Sequence, residues 1–247
     1  RNFLRHEILP KLASRWPDIA VRLQRSAGHA GEASQLLTEL AELDLAALGS
    51  RPERLPIDQL AGLSRSRQRN VIRHALSALG LSTPTAAQLD RILTEVIPAR
   101  VDAQPLVSWA GASVRRYRNG LYLLPLHLAE AIEPALMCGP VHELGAGLGR
   151  LRLEPGAESG LAEALVDAGL SVRSRVGGEE IKLPGQTHTR KLKKLLQEEG
   201  IVPWMRDRLP LLYADDRLVA VGDLWLSGDA ITRPGVALRW TGRPALH

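Results

Sequence analysis

Apolar residues recur at helical spacing along much of this chain and at alternating spacing in shorter stretches. Leu4, Ile8 and Leu12 share one stripe over residues 2–16, and Pro10 is placed either to kink that helix or to start a second one. Trp16-Pro17-Asp18 interrupts the pattern. Residues 18–48, rich in Ala, Leu and Glu, predict one long connecting helix with Leu36, Leu37, Leu40 and Leu43 as its seam and Gly28 and Gly31 as weak points. Arg51-Pro52 and Leu55-Pro56 mark a linker. A helical hairpin follows. Ser64 caps its first helix, Val71, Ile72, Ala75, Leu76 and Leu79 line the inside, and Gly80 stops it. Thr83-Pro84 opens the second helix, with Leu89, Ile92, Leu93, Val96 and Ile97 inside and Pro98 at its end. Leu106 to Trp109, Ser113 to Tyr117 and Leu121 to Leu124 alternate as strands, with Asn119-Gly120 as a tight turn.

Residues 126–170 are rich in Gly, Pro and Ala without a sustained period, which predicts an irregular connector. From Val172 to Leu226 a short basic helix sits between strand-like segments. Over Thr187 to Glu199, Leu192, Leu195 and Leu196 fall on one arc, and Arg190, Lys193, Lys194 and Gln197 fall on the other. Gly200 suits the cap that ends it. The pattern predicts a mixed α and α+β chain in three parts. Residues 1–50 are a helical connecting segment, 51–125 a central domain of a helix pair plus a β-hairpin, and 126–247 a small α+β C-terminal domain whose core is 171–247.

Charge sharpens this picture. The 247 residues carry a net charge of +5, with 17 Lys/Arg against 11 Asp/Glu in 1–125, 2 against 7 in 126–170, and 13 against 9 in 171–247. Two basic blocks around an acidic connector suit a long polyanion gripped at two places better than a small anionic substrate. Cys138 is the only cysteine, so no internal disulfide forms and a reducing compartment is expected. Apolar runs fall short of the roughly 20 residues that span a bilayer. Arg1-Asn2-Phe3 opens inside a helical pattern without an initiator Met, which predicts a piece of a longer protein.

Several clusters carry candidate chemistry. Arg65, Arg67, Arg69 and Arg73 lie on one helix, and no acidic residue stands between Asp58 and Asp90. They form either a phosphate-facing cluster or a solvated helix face. In the basic helix, cations come first and Glu198 and Glu199 last, against the macrodipole, which points to an anion site at its start rather than a solvated face. Arg115, Arg116 and Arg118 beside Tyr117 and Tyr122 supply the cations and stacking rings of an RNA-contacting surface, with core packing the alternative for the tyrosines. Strand alternation sends Arg115 and Tyr117 to one face and Arg116 to the other. Gly145 to Gly149 imitates a nucleotide loop, but no buried strand leads into it. Asp215-Asp216 reads as a hairpin turn rather than an acid/base pair. Neither a nucleophile triad nor a paired metal-ligand spacing is present, so no catalytic or metal residue is assigned.

At the C-terminal end, Arg175, Gly177-Gly178-Glu179, Leu183-Pro184-Gly185, His188, Arg190-Lys191-Leu192-Lys193-Lys194, Gln197-Glu198, Pro203-Trp204, Arg206, Pro210-Leu211-Leu212-Tyr213 and Leu218 together resemble the C-terminal domain of bacterial tRNA(Ile)-lysidine synthetase. Arg67 to Arg73, Leu89 to Arg100, Asp102, Pro105 and Val114-Arg115-Arg116-Tyr117 resemble that family's central substrate-binding domain. Asn2-Phe3-Leu4-Arg5 with Leu9-Pro10 is similar to the segment where its catalytic domain ends.

The resemblance implies an ATP-dependent ligase that adenylates the wobble cytidine of a tRNA(Ile) with a CAU anticodon and lets free lysine displace AMP, forming lysidine. In that family ATP, with Mg, and lysine belong to an N-terminal catalytic domain with a loop of the form SGGxDS. That loop is absent here, so the chain is expected to be inactive alone, to hold no cofactor and to supply tRNA recognition in the cytoplasm. By analogy the last domain holds the acceptor stem and the central one the tRNA body. The residues expected to contact tRNA are Arg65, Arg67, Arg69, Arg73, Arg115 and Arg116 in the central part. In the last part they are Lys182, His188, Arg190, Lys191, Lys193, Lys194, Arg206 and Arg208. Two other readings stay open, a self-contained nucleic-acid-binding protein and a scaffold that forms a homodimer through the helix at 18–48.

Overall fold

The computed structural model describes residues 2–100, 103–126, 131–145 and 147–246, and the chain divides into two units at 127/128. In the first unit a π turn, Leu4–Ile8, runs into α1 (Leu9–Arg15), where Pro10 occupies the first turn and its missing N–H costs nothing. After Trp16 and Pro17, α2 (Ile19–Ala47) continues unbroken through Gly28 and Gly31. Its packed face departs from the expected leucine seam. Ala41, Asp44 and Leu48 are buried, whereas Leu36, Leu37 and Leu43 are 64, 52 and 68% exposed. Hydrophobicity alone selected the seam, but a small alanine and an ion pair are what allow a neighbouring helix to approach.

Leu55-Pro56, expected in a linker, forms β1 (Arg54–Pro56) and leads into α3 (Ile57–Ala61). The helical hairpin is α4 (Arg65–Ala78) and α5 (Ala86–Arg91), the latter extended by a π turn, Ile92–Val96. Ser64 accepts the Arg67 N–H, and Gly80 has φ +66°, as a helix stop requires. The second cap is Thr85, whose capping box with Gln88 starts the helix just after the expected Thr83-Pro84. Three strands follow, β2 (Leu106–Trp109), β3 (Ala112–Tyr117) and β4 (Gly120–Pro125), giving an antiparallel sheet in the order β1-β4-β3-β2. Tyr117 pairs with Gly120, so the turn residues are Arg118 and Asn119, one position earlier than expected, and Arg118 takes φ +50°. Gly120 is the first residue of β4, and a Cβ there would collide with the Tyr122 ring. Helices and sheet close over Leu55, Leu60, Ile72, Leu76, Leu89, Ile92 and Leu121, all fully buried.

The second unit begins with β5 (Ala135–Leu136), β6 (Val141–Glu143), β7 (Arg150–Ala157), β8 (Gly160–Leu161), α6 (Glu163–Asp167) and β9 (Ser171–Arg173). It continues with β10 (Glu180–Ile181), β11 (Arg190–Lys191), α7 (Leu192–Glu198), α8 (Pro203–Arg206), β12 (Leu211–Ala214), β13 (Arg217–Val221), β14 (Trp225–Leu226), β15 (Ile231–Thr232) and β16 (Gly235–Thr241). Two five-stranded sheets result, β14-β13-β12-β9-β5 and β15-β8-β16-β7-β6, with β10 and β11 as a separate pair.

Described residues of the expected irregular connector therefore supply strands to both sheets. In β7, Leu151 and Leu153 are buried between exposed Arg150, Arg152 and Glu154. That period of two is hidden among glycines, and its partner β16 is remote in sequence. Gly149 has φ +75°, and a Cβ there would overlap the Thr241 carbonyl oxygen. The Leu148 carbonyl accepts the Trp240 indole N–H at 2.6 Å. The glycine run is thus a close-packed turn into β7; Ala146 lies outside the described residues. Asp215, with φ +53°, and Asp216 make the turn between β12 and β13. No helix of the described residues is long and apolar enough to cross a membrane.

Candidate nucleic-acid interface

The four arginines of α4 divide between two sides of the helix. Arg65, Arg69 and Arg73 are spaced four apart, whereas Arg67 turns toward α2. Its Nε donates to Asp44 Oδ2 at 3.1 Å, and its Nη2 binds Asp44 Oδ1. That hydrogen-bonded carboxylate raises the guanidinium pKa. Asn70, one turn on, donates from Nδ2 to the Leu37 carbonyl at 2.6 Å, so Arg67 and Asn70 together fasten α4 to α2. Arg69 binds Asp90 Oδ1 at 2.6 Å. Arg65 and Arg73 are exposed and have no ion pair among the described residues.

On the sheet, Arg54, Tyr122 and Arg115 lie in one cross-strand row. Arg54 Nε donates to the Tyr122 hydroxyl at 3.1 Å, and its guanidinium stands 5.9 Å from the ring centroid. Burial pushes the Tyr122 phenol pKa upward, against the pull of Arg54. Tyr117 shares this face, with the Arg118 guanidinium 5.4 Å from its ring. Arg116 is on the core side, where Nη1 binds the Ile97 carbonyl and Nε donates to the Arg118 carbonyl at 3.2 Å. The register thus separates Arg115 from Arg116. It also adds Arg54, which the sequence reading left in a linker; β1 is so short that only its pairing with β4 reveals it.

In the second unit the basic helix starts at Leu192, five residues after Thr187. Residues 190–191 are drawn into β11 instead, where Ile181 pairs with Arg190 and Glu180 with Lys191. The Leu192 N–H donates to the Glu179 carbonyl at 2.8 Å, so the first amide of α7 is already taken. Arg190 is not on the helix. Its Nη2 reaches both Glu198 oxygens at 2.7 and 2.8 Å, which offsets the unfavourable glutamate at the helix end. The anion-site argument from the helix start therefore fails for this short helix, and what remains is a lysine face. Leu192, Leu195 and Leu196 are buried, whereas His188, Lys191, Lys193 and Lys194 are exposed. None of these four has an ion pair among the described residues.

Other expected contacts are internally engaged. Lys182 Nζ is 3.2 Å from Asp229 Oδ1, Arg206 Nε donates to the Ile201 carbonyl at 2.9 Å, and Arg208 Nη1 binds the Trp204 carbonyl. The loop ahead of α7 is organised by Arg175 and Glu179, whose side chains are 14 and 6% exposed. Arg175 Nε donates to Glu179 Oε2 and Nη1 to Asp207 Oδ1, each at 3.1 Å. Glu179 Oε1 accepts the Val176 and Gly177 N–H groups, both at 2.6 Å. Burial works against the Glu179 carboxylate, but the amides of Gly177, Glu179 and Val176 and the charge of Arg175 hold its pKa below the ordinary range.

Most residues of these surfaces fall within two family profiles. The one described as "TilS substrate binding domain" matches residues 55–122, and the one described as "TilS substrate C-terminal domain" matches residues 170–240. The chain belongs to the TilS family.

Proteins named tRNA(Ile)-lysidine synthase match along almost the whole chain. That of Alkalilimnicola ehrlichii is 40% identical over 96% of this chain and 54% of its own length. The protein from Methylococcus capsulatus is 38% identical over 98% of this chain and 57% of its own. The one from Coxiella burnetii is 39% identical over 90% of this chain and 49% of its own. The chain spans about half the length of the curated relatives it matches. A solved structure titled "Crystal structure of TILS C-terminal domain" aligns with 24% identity and a TM-score of 0.34, over 46% of this chain and 98% of that one.

The TilS substrate-binding segment thus holds the α4 arginines and most of the Arg54-Arg115-Tyr117-Tyr122 face, and the TilS C-terminal segment holds the lysine face of α7. The sequence reading missed Arg54, Asp44 and the Arg175–Glu179 pair as organisers of these surfaces. Asp44 had one usable signal, an acid among apolar neighbours at the end of a long helix.

Proposed function

We propose that this chain is the tRNA-recognition part of an ATP-dependent ligase that converts the wobble cytidine of tRNA(Ile) to lysidine. The cognate tRNA carries a CAU anticodon, and the work is done in the cytoplasm. ATP, Mg and free lysine act at a catalytic segment bearing the SGGxDS loop, which this sequence does not contain.

One coincidence carries the reading: each TilS-matched segment also presents exposed cations without internal ion pairs among the described residues. In the first they are Arg65 and Arg73; in the second, Lys191, Lys193 and Lys194. Exposed, unpaired cations are the groups free to replace counterions on a phosphate backbone, whereas Arg67, Arg69, Arg190 and Lys182 would first have to give up a carboxylate. Arg54, Arg115 and Tyr117 add guanidinium and ring surface of the kind RNA exploits.

The test is competition binding of the chain to a tRNA(Ile) transcript against a DNA duplex of equal charge. Preference for the tRNA supports the reading. Equal affinity for both returns the chain to a general nucleic-acid binder.

A further inference from the structure

In the second unit α6 borders a cavity of about 280 Å³. Its wall is mostly apolar and includes Met137, Pro140, Leu153, Val166, Leu170 and Val236. Leu153, Leu170 and Val236 are buried and form its inner side. The segments around it are tied together, because the Met137 N–H donates to the Leu170 carbonyl and the Leu153 N–H to the Pro140 carbonyl, each at 2.8 Å. Gly139, with φ +96° and open space where a Cβ would stand, adds no side chain to the lining. A cavity framed by backbone hydrogen bonds is formed before its occupant arrives.

Among the described residues, the ionisable groups of the lining are Glu163 and Asp167, one turn apart on α6 and both exposed at the open side. Elsewhere in this acid-rich stretch carboxylates find arginines, Glu143 with Arg150 at 3.2 Å and Glu154 with Arg239 at 3.6 Å. Glu163 and Asp167 have neither an ion pair nor a side-chain hydrogen bond among the described residues. Each repels the other, and Asp167, as the last residue of α6, also meets the negative end of the helix. A cation at the mouth relieves both. A bare metal ion does not suit the place, because two carboxylates over an apolar wall supply too few oxygens. No group of three His, Cys, Asp or Glu that could hold a metal stands among the described residues. An organic cation with an aliphatic tail satisfies both parts, its tail withdrawn from water and its charge left at the carboxylates.

We infer that this cavity binds a small primary alkylamine, with the tail against Leu153, Leu170 and Val236 and the ammonium group between Glu163 and Asp167. The space is at the low end of ligand pockets, which makes the occupant a short-chain amine rather than a nucleotide-sized molecule. The amine carries one charge. A diamine reaching the inner side would bury its second ammonium against leucine and valine, where nothing pairs with it. The inference does not rest on the tRNA reading and is tested without RNA.

NMR titration of the isotope-labelled 247-residue chain with n-pentylammonium chloride reads the site through the backbone amides of Gly139, Val166 and Leu170. Saturable shifts are expected there, with n-pentanol and n-pentanoate weaker by about tenfold or more. Across n-alkylammonium ions from propyl to octyl, affinity should rise about fourfold per methylene until the cavity is full and then level off. Glu163→Gln with Asp167→Asn should weaken pentylammonium by about tenfold, to the level of pentanol. Both acids are exposed, so this double variant should melt like the parent. Val166→Trp fills the cavity and should abolish the shifts at Gly139 and Leu170, with a thermal melt to check its fold. Absence of saturable shifts with pentylammonium overturns the inference, as does pentanol binding as tightly as the amine. A double variant that keeps the parent affinity overturns it as well.

Discussion

Arg67 on α4 binds both carboxylate oxygens of Asp44 on α2, and the Asp44 side chain is 1% exposed. An arginine expected to face phosphate is instead the clamp between two helices. Removing it leaves a buried carboxylate without its counter-charge, a costly state, whereas Arg65 and Arg73 have no such dependant. Arg67→Gln should therefore lower the thermal melting temperature, with Arg65→Gln and Arg73→Gln melting like the parent. The binding effects should divide the other way, with Arg65 and Arg73 each changing the salt dependence of tRNA binding. Circular-dichroism melts of the three single variants check the first half.

Glu179 gives a pH prediction. Its carboxylate pKa is lowered in the folded chain, so the folded state favours the charged form more than the unfolded state does. Stability from this group is present above the ordinary glutamate range, roughly pH 4.3, and is lost as pH falls through the lower folded value. In chemical denaturation from pH 7 to 3, the parent should lose stability at the acid end. Glu179→Gln should start lower and show less of that acid-side loss. Parallel curves for the two proteins would remove Glu179 from the account.

Leu195 is 4% exposed on the inner face of α7, directly beneath the lysines. Leu195→Ala should cost about 2–5 kcal/mol through the cavity it leaves. It removes no cation, so below its melting temperature the salt dependence of tRNA binding should match the parent. A changed slope in the folded variant would mean that the leucine face does more than support the helix.

The elements with strong local punctuation were legible in the sequence. Ser64, Gly80 and the apolar positions of α4 lie where the period puts them, and β2, β3 and β4 appear within a residue or two of their expected ends. What was hidden depends on partners far along the chain. The pairing of β7 with β16 does not announce itself among the glycines of 145–160, and β1 is a strand only because β4 lies beside it. The candidate surface suffered in the same way. Counting cations could not separate Arg65 from Arg67, because the difference is Asp44, more than twenty residues earlier. Helical periodicity also ran the basic helix back to Thr187, since the competing bridge of Arg190 and Lys191 to Glu180 and Ile181 is a tertiary choice.

The central claim is that Lys193 and Lys194, exposed on α7 and unpaired among the described residues, contact tRNA phosphates. The most direct measurement is the affinity of the 247-residue chain for a tRNA(Ile) transcript across a series of salt concentrations, with the Lys193→Gln/Lys194→Gln variant beside the parent. Losing two phosphate contacts should flatten the slope of log affinity against log salt by roughly 1.5 to 2 units, with the thermal melt unchanged. A double variant that keeps the parent slope would make the lysine face a solvated surface and contradict the account.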